Sequence, residues 1–418
     1  MRIKLFYICV VWLVSSMSCI AKNEVKVHLT VNPEKKSFTC KYQIKLQPKA
    51  KRSHFVFTLN KAFHVEGVRS KGQSKYEVRP FFDLFQKDTL KRIEVAFANN
   101  SKSTREVTIS YSGNVPERFF TDNVLEFSAH TNWLPNIPGK EYELVSYELE
   151  VSVEDGYQVI STSHPVGQKP GTYTFRGSAP NIEITAIAAT EFEELSTGSE
   201  GHTVSVYKAG RRMNAADTTL LRHTREAIAY FNQTIGKEHP IATFTVLLPG
   251  TNRDAFGLLD NAVNITYADF NTNNVEDRLI LAHEISHKWW AYGRWNDYNN
   301  WLNEAFATYA SLLYLRAIGD TATYEEEIAK RQASSKNSPA LVGFDVSKHD
   351  YKTYRQVIYG KGTVALYHLH KKIGDKRFLQ LLSQVAAAKI ATTEELLEKV
   401  EKLEGKELRR WFEATLKS

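Results

Sequence analysis

Apolar residues recur at every second position along the first half of this chain and at every third or fourth along the second, and few folds accommodate both patterns. Val25, Val27, Leu29 and Val31 alternate with polar partners, and similar short runs recur at Phe55 to Leu59, Ile93 to Phe97, Val107 to Tyr111, Tyr147 to Val153 and Ile182 to Ile187. Turn residues separate them, so the stretch from about 24 to 195 reads as an all-β domain of sandwich type. Beyond residue 201 the spacing predicts helices at about 215–235, 275–291, 301–318, 353–373, 375–387, 393–403 and 406–416, with a strand at Phe244 to Leu248. Small and polar residues fill Ser196-Thr197-Gly198-Ser199-Glu200-Gly201, the best candidate for a linker. The expected organisation is α+β and multidomain: a leader at 1–21, a β domain at 22–195, a linker at 196–201 and a mainly helical domain at 202–418. A length of 418 residues agrees, being too long for one ordinary core.

The first residues predict export. Arg2 and Lys4 precede an apolar run from Leu5 to Val14, then small residues follow at Ser15, Ser16, Ser18 and Ala21, the layout of a secretory signal and too short to span a bilayer. Cleavage after Ala21 removes two positive charges and no negative ones, taking the formal charge from +7 to +5. The mature protein is then expected in a periplasmic, cell-surface or extracellular place. Cleavage before Cys19 is the alternative, and it would leave a lipid-anchored cysteine. Cys40 is the one cysteine clearly inside the mature chain, so no internal disulfide is expected. The basic balance lacks a dense Lys/Arg cluster interleaved with aromatics, and no nucleic-acid partner is expected.

Within the helical half, His283-Glu284-Ile285-Ser286-His287 has the HExxH form. Asn274 can cap a helix whose first turn holds Glu276 and Asp277, and on that helix two histidines four residues apart point the same way, toward one metal ion. A hydrolytic zinc site needs a third protein ligand, and Glu304 on the helix-like segment Trp301 to Tyr309 offers it after a polar turn at Asn296 to Asn300. Two imidazoles and one carboxylate leave such a site net positive, which acidifies a bound water. Glu284, between the histidines, is the candidate base. The oxyanion formed by attack needs a donor opposite the metal, a part a tyrosine hydroxyl can fill.

These residues resemble the gluzincin aminopeptidases of the membrane alanyl aminopeptidase family, which includes leukotriene hydrolase-like enzymes. The family pattern of HExxH and a downstream Asn-Glu pair reads here as His283 to His287 with Asn303-Glu304, separated by 16 residues where the family usually has 18. The resemblance implies one zinc ion per chain, a peptide substrate, a thermolysin-like catalytic domain, and an open cleft where the family's large C-terminal helical domain is missing. Tyr359-Gly360-Lys361-Gly362 is similar to the family's Tyr-x-Lys-Gly segment, so Tyr359 inherits the oxyanion role. Gly257-Leu258-Leu259-Asp260-Asn261 stands where the family has Gly-x-Met-Glu-Asn, a strand that grips the substrate's free amine. The implied substrate-binding residues are therefore Gly257, Asp260 and Asn261, with Asp in place of Glu. Glu126, ahead of Trp133-Leu134-Pro135-Asn136, falls where the second amine-binding residue belongs, although an exposed strand residue is the ordinary reading of it.

Removal of N-terminal residues from peptides is the activity this resemblance implies. An endopeptidase with the same metal machinery is the alternative if Asp260 cannot hold an amine, and a peptide-binding protein without turnover is a third. Neither a Gly-x-Ser-x-Gly elbow nor a phosphate loop is present.

Overall fold

The computed structural model describes residues 23–47, 51–83, 88–101, 103–199, 202–251, 264–266, 271 and 274–418. Every second side chain of Glu24–Asn32 is buried, the one-sided pattern that its sequence spells. This strand lies inside a seven-stranded sheet whose spatial order is Pro165–Lys169, Thr172–Pro180, Leu144–Ser152, Glu24–Asn32, Ser37–Leu46, Arg105–Asn114, His64–Ser70. It pairs antiparallel with Ser37–Leu46 and parallel with Leu144–Ser152, where Val27 faces Leu149. Two three-stranded sheets join it, one of Arg52–Asn60, Asp88–Ser101 and Gln73–Asp83, the other of Gln158–Ser161, Ala186–Ala189 and Val124–Phe127. Their inward residues, among them Tyr42, Phe57, Tyr111, Phe127, Trp133 and Phe175, form a single core, and the sandwich-type expectation holds. Cys40 lies in that core, where burial pushes its thiol up to about 12 and keeps it inert.

The expected linker is a correction. Ser196 to Ser199 belong to the strand Phe192–Ser199, which pairs antiparallel with His202–Ala209 from Phe192 opposite Ala209 to Ser199 opposite His202. Polar residues here pair across the strands, as in the 2.9 Å contact between the Ser196 and Ser205 hydroxyls, so composition imitated a loop. Residues 200 and 201 lie outside the described residues. The chain thus leaves the sandwich after Ala189 and enters, at Phe192, a four-stranded sheet completed by Phe244–Leu248 and Asn264–Thr266 in parallel. Val124, Ile187, Ala189, Ala209 and Leu247 pack together across the junction. The expected strand at Ile182 to Ile187 also shifts, because Asn181–Glu183 forms a 3-10 turn and pairing starts at Ala186.

The rest is helical: α1 (Ala215–Thr234), α2 (Val275–Ser286), α3 (Trp301–Ala317), α4 (Thr321–Ser335), α5 (Tyr351–Arg355), α6 (Gly362–Ile373), α7 (Asp375–Ala388), α8 (Thr393–Glu404) and α9 (Lys406–Lys417). A π-helical turn, Gln356–Lys361, joins α5 to α6 without a break. The sequence gives no clear period for α4 because only Tyr324, Ile328 and Ser335 are buried on it. α2 stops at Ser286, five residues before its expected end; Lys288 and Trp289 bond back three residues, the tightened geometry of a helix terminus. α3 is buried nearly all round and forms the axis of the domain. Among the described residues no helix is long and apolar enough to cross a membrane.

Candidate metal centre

Asn274 caps α2 as expected, accepting from the Glu276 amide at 3.0 Å, and the buried side of Leu281, Ala282 and Ile285 seats the helix on α3. That seating leaves His283 and His287 facing the first turn of α3, where Glu304 stands. The Nε2 atoms of the two histidines lie 3.1 Å apart. A Glu304 carboxylate oxygen lies 3.5 Å from one and 3.7 Å from the other. A tetrahedral zinc with bonds of about 2.0–2.2 Å holds neighbouring ligand atoms roughly 3.4 Å apart, so the three donors already have the spacing one ion requires.

The tautomers sharpen the fit. His287 Nδ1 lies 2.8 Å from the Trp290 carbonyl oxygen, which can only accept, so Nδ1 carries the proton and Nε2 presents a lone pair. The Thr308 hydroxyl donates to the Glu304 carbonyl at 2.7 Å and therefore accepts from His283 Nδ1 at 3.3 Å. Both Nε2 lone pairs then converge, an arrangement that is repulsive unless a cation lies between them. Burial, with the neighbouring His283, pushes the His287 imidazole below its ordinary value and keeps it neutral, the ligating form. Burial alone would raise Glu304, but the facing His283 and His287 imidazoles and the hydrogen bond from Tyr359 outweigh it and hold the carboxyl below the usual range.

Glu284 stands apart from this trio. Its nearer oxygen is 3.9 Å from His287 Nε2, farther than Glu304 from either histidine, which leaves its carboxylate available as a base beside the metal position. Tyr359 comes from the π-helical turn, and its ring lies parallel to that of His283 with centroids 6.2 Å apart. Its hydroxyl bonds to Glu304; burial and the Glu304 charge push the phenol well above its ordinary value, so it stays a proton donor. A single-turn π segment at a reacting group is a common way of re-aiming a side chain. Gly362 has a packing reason: a Cβ there would lie 2.6 Å from that of Ala305, so only glycine lets α6 close on α3 beside Glu304. Lys361 donates to the carbonyls of Ser338 and Ser418 at 2.8 and 3.0 Å, a structural role.

Asn303, read from sequence only as Glu304's companion, clamps the shortened loop. Its carbonyl oxygen accepts from the Gly293 amide at 2.8 Å and its amide nitrogen donates to the Gly293 carbonyl at 3.0 Å. Gly293 is forced by the closeness of that grip, since a Cβ would come within 2.8 Å of the Asn299 carbonyl. Asn300 donates to the Tyr354 hydroxyl at 2.6 Å and so ties this loop to the tyrosine-bearing turn. Thr308, Trp290, Asn300 and Tyr354 have no signature in the sequence, because each acts through a contact with a residue distant in the chain or through a backbone carbonyl.

Glu126 corrects the exposed reading: the whole strand Val124–Phe127 is buried, and Glu126 itself is 0% exposed. One of its oxygens takes the Thr251 hydroxyl, and the other has no hydrogen-bond partner among the described residues. Burial raises its pKa. Thr251 lies just beyond Phe244–Leu248 and six residues before Gly257, so the sandwich meets the catalytic half here. Gly257, Asp260 and Asn261 lie outside the described residues. Tyr142, also from the sandwich, packs its ring 5.8 Å from that of Trp295 in the loop before α3.

Two histidines on one helix, an acid on the next, a second carboxylate and a protonated phenol define a single-metal hydrolase of the HExxH kind, and zinc is the ion that its N2O donor set suits. Residues 223–414, which hold all five groups, match the model of the Peptidase family M1 domain. Aminopeptidase N of Streptomyces lividans is 24% identical over 307 residues, 65% of this chain and 35% of that protein, so the chain spans about a third of the length of this curated relative. The M1 zinc metallopeptidase of Deinococcus radiodurans superposes with a TM-score of 0.69 at 18% identity, covering 95% of this chain and 93% of that one. A mutant of it was solved with Tyr-Ser-Ala substrate bound. Yeast LTA4 hydrolase in complex with bestatin gives 0.67 at 16% identity over 95% of this chain and 66% of that one. These structures share the two-part fold, β-rich then helical.

Proposed function

We propose that this protein is a zinc aminopeptidase that removes N-terminal residues from peptides. The observation that carries the reading is the convergence of His283 Nε2, His287 Nε2 and Glu304 within 3.1 to 3.7 Å, with Glu284 and Tyr359 beside them. Zinc, when bound, supplies a Lewis acid that acidifies water and polarises the scissile carbonyl. Glu284 then takes the water's proton and passes it toward the leaving amine, while the Tyr359 hydroxyl donates to the carbonyl oxygen as it gains charge. The orphaned oxygen of Glu126, with Asp260 as its expected companion, receives the substrate's ammonium group, which makes a free N-terminus a condition of binding. An exported enzyme, soluble or anchored through Cys19, is the setting that the leader of the sequence favours. Hydrolysis of matched peptides with free and N-acetylated ends by the purified protein is the test. Strong preference for the free amine is expected; equal cleavage of both would leave a zinc endopeptidase.

A further inference from the structure

Arg355, the last residue of α5, lays its guanidinium over the ring of Tyr359 at 4.5 Å from the centroid and also over Tyr351 at 5.9 Å. It donates to the Tyr351 hydroxyl at 3.3 Å, and its side chain remains exposed. Among the described residues no carboxylate lies within ion-pair distance of it, although the charge of Glu304 is felt there. This leaves a fixed cation stacked on the phenol that faces the scissile carbonyl. Other arginines do find acids: the exposed Arg212 pairs with Glu193 at 2.5 Å and the half-buried Arg409 with Glu394 at 2.5 Å. A guanidinium is planar, always charged and suited to grip a carboxylate with two parallel hydrogen bonds. Tyr351, 57% exposed, Tyr354 and Tyr359 surround it with aromatic surface, which limits its freedom and lowers the entropy lost when an anion docks.

From these contacts we propose that Arg355 is a specificity residue that receives a carboxylate of the peptide one or two residues past the scissile bond. The inference rests on the aminopeptidase reading. An extended chain advances about 3.3–3.6 Å per residue, so a cation beside Tyr359 is within reach of the C-terminus of a di- or tripeptide, or of an acidic side chain in a longer one. Short peptides carry an ammonium at one end and a carboxylate at the other. Glu126, in the aminopeptidase reading, and Arg355 would offer groups of the matching kinds.

The test uses the full zinc-loaded chain and three tripeptides with the same N-terminal residue: the free acid, its C-terminal amide, and an amide with an acidic residue after the scissile bond. The wild-type protein is expected to favour the free acid over its amide by roughly 10-fold or more in kcat/KM, mainly through KM, as charge-assisted contacts do. Arg355→Met should bring that ratio close to one, and Arg355→Lys should keep part of it. Equal rates for acid and plain amide with a clear preference for the acidic side chain would place the carboxylate on the side chain and still support the proposal. A purely structural role would lower all three rates together and leave their ratios, and that result overturns it. Equal wild-type rates on all three peptides overturn it as well, with no variant needed. Failure to cleave any peptide with a free amine sinks the aminopeptidase reading first.

Discussion

Two sets of buried carboxylates lie on either side of this molecule's junction, and their environments push them in opposite directions. On the helical side Glu304 is enclosed yet held below the usual carboxylate range, because His283, His287 and the Tyr359 hydroxyl face its carboxylate. On the sandwich side Glu126 and Glu141 are as deeply enclosed and pushed up by burial, Glu141 to about 7, each with an oxygen that has no hydrogen-bond partner among the described residues. Burial is common to both; the difference is how many polar groups the fold turns toward each carboxylate. On the helical side the three ligand groups already face one another, whereas the free oxygen of Glu126 has no hydrogen-bond donor among the described residues.

The comparison breaks most visibly at the ligands. His283→Ala or Glu304→Ala should lose the metal and with it essentially all hydrolysis, since three protein ligands are the usual minimum of a catalytic zinc site. Metal analysis of the purified variants checks this, and full occupancy in both would falsify the assignment.

The next effects should spare the metal. Tyr359→Phe is expected to retain zinc and lose on the order of 10² to 10³ in turnover for want of one oxyanion donor. Glu284→Gln should also keep zinc while hydrolysis falls by roughly 10² or more. Rates unchanged in either variant would mean that base and donor lie elsewhere.

On the sandwich side Glu126→Gln keeps the shape and removes the charge. KM for free-amine peptides should rise about 10-fold, with little change in the rate at saturation and little effect on acetylated peptides. A rise only in Asp260→Ala would move the amine site to that segment.

Glu141 gives the smallest effect, through stability. Its folded value, about 7, lies above the ordinary 4.5, so the folded chain keeps a proton that the unfolded chain has released. That contribution is fully present below about pH 4.5 and is lost as pH rises through about 7, by at most about 3 kcal/mol. Urea unfolding at pH 5 and pH 8 should show a smaller pH dependence for Glu141→Gln than for the wild type. Identical dependence would show that Glu141 finds a partner after all.

What the sequence determined by itself was whatever depends on neighbours in the chain. The period-two burial of Glu24–Asn32, the cap at Asn274 and the i,i+4 placement of His283 and His287 follow from local geometry, and all are present. Glu304 and Tyr359 could be singled out because short motifs accompany them. Tertiary structure alone decided the rest. A hairpin of serines and threonines read as a linker because its pairing lies across the strands, and the burial of Glu126 arises from sheets distant in sequence. The Thr308 and Trp290 contacts that aim both histidines, the Asn303 grip on Gly293 and the stacking of Arg355 on Tyr359 are likewise contacts made by folding. Periodicity records which face of an element is buried, but it carries no information about which residue waits on the other side.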